Sequence, residues 1–420
     1  MTRNPLRLLV QWPRFGPYHL ARLRTLNEAC DRSGWTLTAL ETASTDDLYA
    51  WREETGPTAF PREVLFPGRS FHDLSPKAMH RAMTEALDRL QPDAVAIHSY
   101  AFPDARAALL WCRKNRRAAV LMLDSRADDA RRRGWREAFK RRIVAQYDAA
   151  LTAGAPQRRY LEALGVPPEV IFEGYDVVDN AAFAQAARQS LGGNAEVLRL
   201  PGLADASPFF LASNRFIPRK NLPLLLRAFA RYRARAGNQA WRLVMLGDGE
   251  QRGELEALAE TLGIGAAVAW AGFRQIDEIP AYYARAGAFV HPSSADQWAL
   301  VVNEAMACGL PVVVSTGAGC VEDLVDEGRN GFSFSPGDAD ALANHLFALA
   351  HGDLDLGAMG QRSREIVADW SLQRFATSML AGAEAGRTRA GHGLDPLVVL
   401  GFWALRRLAR GPEAFHTVQS

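Results

Sequence analysis

The sequence predicts an α/β protein made of two doubly wound domains. Its 420 residues exceed the size of one ordinary hydrophobic core. Apolar runs with the length of buried strands alternate with helix-forming segments along both halves of the chain, which is typical of parallel sheets covered by helices. A complete strand-turn-helix-strand unit over residues 287–315 is the clearest example of this pattern.

The first half contains five predicted strands. They are residues 6–11, 36–40, 94–98, 119–123 and 149–153. A turn containing Gly16 separates the first strand from a helix predicted over 20–30, so a ligand can approach the backbone and the helix N-terminus there.

The domain boundaries follow from composition. We expect an N-terminal domain over 1–185, a linker over 186–207, a second domain over 208–380 and a C-terminal tail over 381–420 that returns to the first domain. The linker is assigned because this stretch combines glycine, proline, alanine and serine.

The composition is that of a globular protein, with 48% hydrophobic residues and a net charge of +2, and it does not favour nucleic-acid binding. The four cysteines are widely spaced and predict neither a zinc site nor a disulfide framework. No signal peptide or membrane-spanning run is evident, so the sequence predicts a cytoplasmic protein.

Two carboxylates mark the unit over 287–315. Asp296 lies in the turn, and Glu304 follows eight residues later in a helix predicted over 298–308 and ended by Gly309. Eight helical residues span about 12 Å and rotate by about 80°, so both acids face broadly the same way. A carboxylate among apolar residues, as at Glu304, is costly unless it is paired or binds a ligand. The alternative is that Asp296 is a helix cap and Glu304 a solvated residue.

A basic loop follows the first predicted strand of the second half, residues 208–211. Arg215 and Lys220 lie in this loop, before a helix predicted over 222–236 and ended by Gly237. Arginine offers a planar fork of donors and lysine a compact charge, so the pair is suited to one bound anion. Two solvated side chains are the alternative.

The segment DQWALVVNEAMACGLPVV resembles the E-x7-E region of retaining glycosyltransferases of family 4, and Arg215 to Asn221 resembles the family's diphosphate-binding loop. The resemblance implies a GT-B fold, in which two Rossmann-like domains face a central cleft. It covers the second half well and the first half in outline. The chain departs from the family pattern at Asp296, where glutamate is usual, and at Trp298-Ala299, where Phe-Gly is usual.

The resemblance implies transfer of a sugar from a UDP or GDP sugar to a glycan or glycolipid hydroxyl, with retention and without a metal or other cofactor. Arg215, Lys220 and Asp296 are its catalytic candidates, the first two on the diphosphate and Asp296 on a sugar hydroxyl, while Glu304 would hold the ribose. The donor-binding candidates are Gly16, Gly247, Gly249, Phe273, Arg274, Gln297, Trp298, Ala299, Leu300 and Glu304.

The first half contains acceptor-side candidates of two kinds. The resemblance implies Tyr18 and His19, because the corresponding loop of the family lies between the donor phosphate and the acceptor, whereas the others follow predicted strands at their carboxyl ends. Many family members carry a histidine after the strand over 119–123, where this chain has none, so the group beside the reacting sugar stays open. The candidates are Tyr18, His19, His98, Asp124, Ser125 and Arg126.

Other interpretations stay open at this point. A nucleotide-sugar epimerase of the same fold and a non-catalytic nucleotide-sugar-binding relative are the functional alternatives. Two D-x-D pairs, at 338–340 and 353–355, follow the last predicted strand and are interpreted as structural. A basic helix over 131–143 and the apolar tail are candidates for contact with the inner face of a membrane, or for a solvated helix face and intramolecular packing.

Overall fold

The structure, a computed structural model, describes residues 5–45, 51–52, 56–129, 134–192 and 208–408. The described residues form two parallel sheets. The strands are β1 Leu6–Trp12, β2 Trp35–Thr45, β3 Arg62–Ser70, β4 Ala94–His98, β5 Ala118–Leu123, β6 Ala149–Thr152, β7 Ile171–Glu173, β8 Phe209–Ser213, β9 Arg242–Leu246, β10 Val268–Gly272, β11 Ala288–His291, β12 Val312–Ser315 and β13 Gly331–Phe334.

Helices connect and cover these strands. They are α1 Pro17–Ser33, α2 Pro76–Leu90, α3 Pro103–Asn115, α4 Gly134–Val144, α5 Ala155–Ala163, α6 Asn180–Gly192, α7 Leu222–Ala236, α8 Arg252–Thr261, α9 Ile279–Tyr283, α10 Leu300–Ala307, α11 Val321–Leu324, α12 Ala339–His351, α13 Leu356–Ala368, α14 Leu372–Arg389 and α15 Pro396–Leu408.

The chain divides into two compact units. The first comprises Met1–Val177 and Leu372–Ser420, and the second comprises Val178–Ser371. The first contains a seven-stranded sheet in the order β3-β2-β1-β4-β5-β6-β7, and the second a six-stranded sheet in the order β10-β9-β8-β11-β12-β13. In each sheet the order reverses beside a central strand, β1 or β8, and the carboxyl ends of neighbouring strands there form the usual place for a ligand.

The predicted fold class is confirmed, and so are the five strands of the first half. Two further strands of the first unit, β3 and β7, were not predicted. Strand β3 runs along the sheet edge, is mostly half-buried or exposed and contains Pro67, so it lacks a continuous apolar run. Strand β7 has only three residues, which is too short for a recognisable pattern.

The unit boundaries differ from the predicted domain boundaries. Residues 186–192 are not linker, because they continue α6, whose Phe183 is buried and lies 6.3 Å from the ring of Tyr283 in the second unit. Residues 193–207 lie outside the described residues. The return to the first unit begins at Leu372, since Phe375 and Met379 of α14 are buried and α14 packs on α1 and the first sheet.

Buried apolar side chains cover both sheets. Val95, Ile97 and Leu121 belong to the main core of the first unit, and Phe210 and Val313 to that of the second. Among the described residues, no helix has the length and apolarity needed to cross a membrane. Across the same residues, no group of three or more His, Cys, Asp or Glu side chains is placed to hold a metal ion.

Candidate functional site

An ion pair lies at the carboxyl ends of β8 and β11, which are neighbours in the second sheet. Lys220, in the loop after β8, donates from Nζ to Oδ2 of Asp296, in the loop after β11. His291 Nε2 lies 3.0 Å from the same oxygen. Burial alone would raise the pKa of Asp296, but the charge of Lys220 and the hydrogen bonds from His291 and Lys220 together hold it well below its usual range.

The protonation of His291 follows from these contacts. Its side chain is fully buried, and burial lowers its pKa despite the adjacent Asp296. The neutral ring therefore carries its proton on Nε2 and donates a hydrogen bond from Nε2–H to Oδ2 of the ionised Asp296. His291 was not predicted as a site residue, although its place five residues before Asp296, at the end of a strand, was a usable signal.

The loops that carry this ion pair are tied together by hydrogen bonds. The Ser294 backbone N–H donates to Arg219 O at 2.9 Å, and Asn221 Nδ2 donates to Pro292 O at 3.2 Å. The Asp296 N–H donates to Gly317 O at 3.0 Å. Lys220 and Asp296 are thus held by the backbone of three adjacent loops, so their separation is fixed by the fold.

One oxygen of Asp296 remains available to a ligand. Both side-chain contacts, from Lys220 and His291, use Oδ2, and no described residue hydrogen-bonds to Oδ1. Arg215 is half-buried in the loop that carries Lys220. The structure therefore places Arg215, Lys220 and Oδ1 of Asp296 on the loops at the ends of β8 and β11. Their joint action on a donor stays a prediction.

Glu304 lies on α10 and is 1% exposed, so it is not a solvated helix residue. Tyr283 Oη, from α9, donates to Glu304 Oε2 at 2.9 Å. The sequence analysis did not predict Tyr283 as a site residue. Its link to Glu304 arises only when α9 and α10 come together in the fold. The assignment of Glu304 to a ribose stays a prediction.

Three neighbouring candidates have different environments. Trp298 is 2% exposed, donates from Nε1 to Asn303 Oδ1 at 2.9 Å and packs on Trp370 with ring centroids 4.8 Å apart. Its indole is therefore used for packing within the second unit, and its predicted contact with a donor stays a prediction. Gln297 and Leu300 are half-buried and remain side-chain candidates.

Ala299 adopts a left-handed backbone conformation, with φ 86° and ψ 72°, directly before α10. L-residues with a Cβ are strained there by about 1–2 kcal/mol, and glycine is not. The departure Trp298-Ala299 thus has a structural consequence: the chain keeps a backbone geometry suited to glycine while carrying a methyl group.

We expect Ala299→Gly to stabilise the protein by about 1 kcal/mol, because strain relief exceeds the extra entropy of glycine in the unfolded chain. Urea unfolding measures the effect. Ala257→Gly, at an exposed helical position of α8, is the matched control and should destabilise by about 1 kcal/mol. Destabilisation by both substitutions would contradict the inferred strain.

Gly247 and Gly249 are required by a close backbone approach. A Cβ at Gly247 would lie 1.8 Å from Asn214 O, and one at Gly249 would lie 2.6 Å from Phe216 O. Both residues also have positive φ, 117° and 157°. The two glycines therefore hold the loop after β9 against the loop that carries Arg215. Their predicted direct contact with a nucleotide stays a prediction.

Phe273 and Arg274 follow β10. The Phe273 side chain is 37% exposed, which is unusual for a phenylalanine and leaves its ring accessible. Arg274 pairs with Glu278 at 3.5 Å and lies over the Tyr282 ring at 5.9 Å. Both remain donor-binding candidates on the β10 side of the sheet.

In the first unit, Gly16 and His19 form the start of α1. The Gly16 N–H donates to His19 Nδ1 at 3.0 Å, and the His19 ring lies 4.8 Å from that of Trp12. Burial, with the charge of Arg22 as the next cause, lowers the pKa of His19 to about 3. The ring is therefore neutral, with its proton on Nε2. Tyr18 packs edge-on against Trp51 at 6.1 Å.

The lowered pKa of His19 predicts acid sensitivity. The unfolded histidine titrates near 6.5, so below that pH protons favour the unfolded state, and the contribution of neutral His19 is lost as pH falls toward 3. The limiting slope is about 1.4 kcal/mol per pH unit. The free energy of unfolding is to be measured with urea between pH 7.5 and pH 5. This free energy should fall less steeply with falling pH in His19→Asn, whose Oδ1 can still accept a hydrogen bond from the Gly16 N–H. Equal slopes would contradict this.

The remaining acceptor-side candidates follow β4 and β5. His98 is 4% exposed, and neither ring nitrogen has a hydrogen bond among the described residues, although Nε2 lies 3.7 Å from Asp104 Oδ2. Burial lowers the pKa of His98. Arg126 is 6% exposed and pairs with Asp128 at 3.1 Å. Asp124 and Ser125 are half-buried, so they are more accessible than Arg126.

Similarity to a solved structure identifies the fold, and family models identify the family. HepE of Anabaena, solved in complex with UDP, superposes with a TM-score of 0.63 at 19% identity, over 90% of this chain and 98% of that chain. Together with the two parallel sheets, this similarity shows a GT-B fold. Two family models then match in order, Glycosyltransferase Family 4 over residues 21–179 and Glycosyl transferases group 1 over residues 199–365. The chain belongs to glycosyltransferase family 4.

Curated relatives agree with this family. Sulfoquinovosyl transferase SQD2 of Arabidopsis thaliana is 33% identical over 41% of this chain and 34% of its own length. The GDP-mannose-dependent alpha-(1-6)-phosphatidylinositol monomannoside mannosyltransferase of Mycolicibacterium smegmatis is 30% identical over 45% of this chain and 50% of its own length. The chain thus matches between a third and a half of the length of these relatives.

Proposed function

We propose that this protein transfers a sugar from a nucleotide-diphosphate sugar to an acceptor hydroxyl with retention of anomeric configuration. The observation that carries the proposal is the ion pair of Lys220 and Asp296, supported by His291, at the carboxyl ends of β8 and β11. It lies within the region that the group 1 model matches, residues 199–365. Arg215 and Glu304 lie in the same region.

Arg215 and Lys220 would act on the diphosphate. As the bond between sugar and phosphate breaks, negative charge grows on the leaving oxygen, and preorganised cations stabilise that charge. Lys220 is held by Asp296 and by the loop contacts, so it needs little reorganisation when a donor binds. This cation pair supports a proposal of catalysis without a metal ion.

Asp296 would have two roles. Through Oδ2 it positions Lys220, and through Oδ1 it accepts a hydrogen bond from a hydroxyl of the donor sugar. Its low pKa keeps it ionised, which strengthens that hydrogen bond. In the proposed front-side reaction, the departing phosphate oxygen takes the proton of the attacking acceptor hydroxyl.

The acceptor is proposed to be a glycan or a glycolipid, in cell-surface polysaccharide or glycolipid assembly at the cytoplasmic side of a membrane. A phosphatidylinositol mannoside in the name of one relative supports a lipid-linked acceptor. UDP in the HepE structure and GDP-mannose in the name of the mannosyltransferase support a nucleotide donor and leave both bases as candidates.

Calorimetric titration of the purified protein with UDP and with GDP, in EDTA, tests the proposal. We expect micromolar binding of one nucleotide and much weaker binding of the other. Transfer to an acceptor, with the anomeric configuration of the product read by NMR, then tests retention. Binding of neither nucleotide would contradict the proposed donor, and loss of transfer in EDTA would contradict metal independence. Release of a changed sugar nucleotide without acceptor would identify an epimerase instead.

A further inference from the structure

Exposed apolar side chains are concentrated on two helices of the first unit. Six large apolar side chains are exposed among the residues whose side chains the structure describes, and four of them belong to α4 and α15. Their exposed fractions are Trp135 68%, Leu397 50%, Val399 39% and Leu400 59%. Single exposed apolar residues need no explanation, but a cluster marks a surface that binds something.

The two helices contact each other and form one surface. A Cβ at Gly401 of α15 would lie 2.0 Å from Cζ of Phe139 of α4, so the helices approach closely there. Arg142 Nη1 also donates to Asp395 Oδ2 at 2.9 Å. These contacts join the exposed residues of α4 to those of α15. We call the set the α4–α15 face: Trp135, Arg136, Arg141, Leu397, Val399 and Leu400.

Helix α15 is amphipathic within the part whose side chains are described. Val398 is fully buried, Phe402 is 6% exposed, and Arg106 lies over the Phe402 ring at 5.3 Å. Leu397 and Leu400, one turn apart, lie on the other side and remain exposed. The helix is therefore anchored to the first unit by one side and presents leucines on the other, so the tail packs without covering all of its apolar surface.

The α4–α15 face is also positively charged. The Arg136 guanidinium lies 5.3 Å over the Trp135 ring, and neither Arg136 nor Arg141 forms an ion pair with a described residue. The nearby acids are already paired, since Glu137 accepts from Lys140 at 3.0 Å and Asp395 accepts from Arg142. Exposed tryptophan and leucine beside unpaired arginines are typical of surfaces that lie in the headgroup region of a membrane.

We propose that the α4–α15 face binds the surface of a membrane that contains anionic lipids. The apolar side chains enter the boundary between headgroups and acyl chains, and Arg136 and Arg141 pair with lipid phosphates. Attachment would be peripheral, as an amphipathic helix lying at the surface provides. The inference does not depend on the proposed donor chemistry, but it would bring a sugar-transferring protein to a surface that holds glycolipid acceptors.

Co-sedimentation of the full chain with vesicles tests the proposal. One vesicle is phosphatidylcholine alone, and the other contains an equal part of phosphatidylglycerol. We expect strong binding only to the mixed vesicles, weakened by salt. Trp135→Ser combined with Leu400→Ser should lower the partition coefficient roughly tenfold or more. Leu191→Ser, at a leucine 62% exposed on α6 of the other unit, is the matched control and should bind like the parent protein.

Charge variants test the electrostatic part. Arg136→Gln and Arg141→Gln should each lower binding to the mixed vesicles roughly fivefold. Arg227→Gln, an exposed arginine of α7 in the other unit, should have little effect. Equal binding to both vesicles, or equal losses in the face and control variants, would overturn the proposal.

A second copy of the chain is the competing occupant of this face. A dimer in sedimentation velocity that Trp135→Ser and Leu400→Ser dissociate, without vesicle binding by the parent protein, would replace the membrane with a partner subunit. Nucleotide titration of the same variants separates the two proposals. Vesicle binding without nucleotide binding would refute only the proposed function, and nucleotide binding without vesicle binding would refute only this inference.

Discussion

Replacing Lys220 with alanine should lower kcat for the proposed sugar transfer roughly 10²–10³-fold, because the cation proposed to stabilise the leaving phosphate is lost. The fold should survive, since Lys220 is in a surface loop whose backbone is held by hydrogen bonds from Ser294 and Asn221. Steady-state kinetics with the identified donor measures the effect, and circular dichroism checks the fold. Arg227→Ala, at an exposed position of α7, is the control.

A second variant distinguishes two causes of slow turnover in Lys220→Ala. One is the loss of the Lys220 cation, and the other is the carboxylate of Asp296, which no longer has a cationic partner. In Lys220→Ala the half-buried Asp296 loses a charge that lowers its pKa. Combining Lys220→Ala with Asp296→Asn removes that imbalance. We expect the double variant to remain as slow as the single one. Recovery of turnover would show that Lys220 only neutralises Asp296, and turnover of the single variant within about twofold of the parent would remove Lys220 from the mechanism.

Replacing Glu304 with glutamine should raise the Kd for the nucleoside diphosphate about tenfold or more. Hydrogen bonds to a charged group contribute roughly 1.5–3 kcal/mol, and the Glu304 carboxylate is proposed to accept hydrogen bonds from the ribose hydroxyls. Glutamine keeps the size of the side chain and an oxygen that can accept from Tyr283. Calorimetry measures the change without requiring an acceptor.

Two controls test whether the loss of nucleotide affinity in Glu304→Gln comes from a lost contact with the ribose. Tyr283→Phe removes the internal hydrogen bond to Glu304 but keeps the carboxylate, so affinity should change by less than about threefold. A 2′-deoxy nucleotide should bind the parent protein more weakly than the ribonucleotide, and this difference should shrink in Glu304→Gln. An undiminished difference would show that Glu304 holds α9 and α10 together without contacting the ribose.

The parallel sheets could be predicted from the sequence because their central strands are continuous apolar runs. The first unit was extended by a helix, α14, that lies nearly two hundred residues beyond β7. The unit to which α6 belongs depends on the contact between Phe183 and Tyr283, and no local pattern reports such a contact. Local periodicity therefore predicts elements well and their partners in space poorly.

The same limit applies to the candidate site. Lys220 and Asp296 were predicted individually from their loops, but their contact depends on β8 and β11 being neighbours, which is a property of sheet order. His291 and Tyr283 contact the two carboxylates, and only His291, at the end of a strand five residues before Asp296, had a signal in the sequence. Trp298 shows the converse: its position predicted a ligand contact, while its indole is used for packing on Trp370.

The two glycines after β9 have a thermodynamic consequence for binding. Since Gly247 and Gly249 allow direct backbone contact with Asn214 and Phe216, the loop bearing Arg215 is ordered when the chain folds. Fixing the backbone of one residue costs about 1–2 kcal/mol of conformational entropy at room temperature, and here that cost is met on folding and not on binding. The proposed nucleotide donor would therefore meet a preorganised loop, and its association should show a small conformational entropy penalty and little change in backbone hydrogen exchange at residues 214–220.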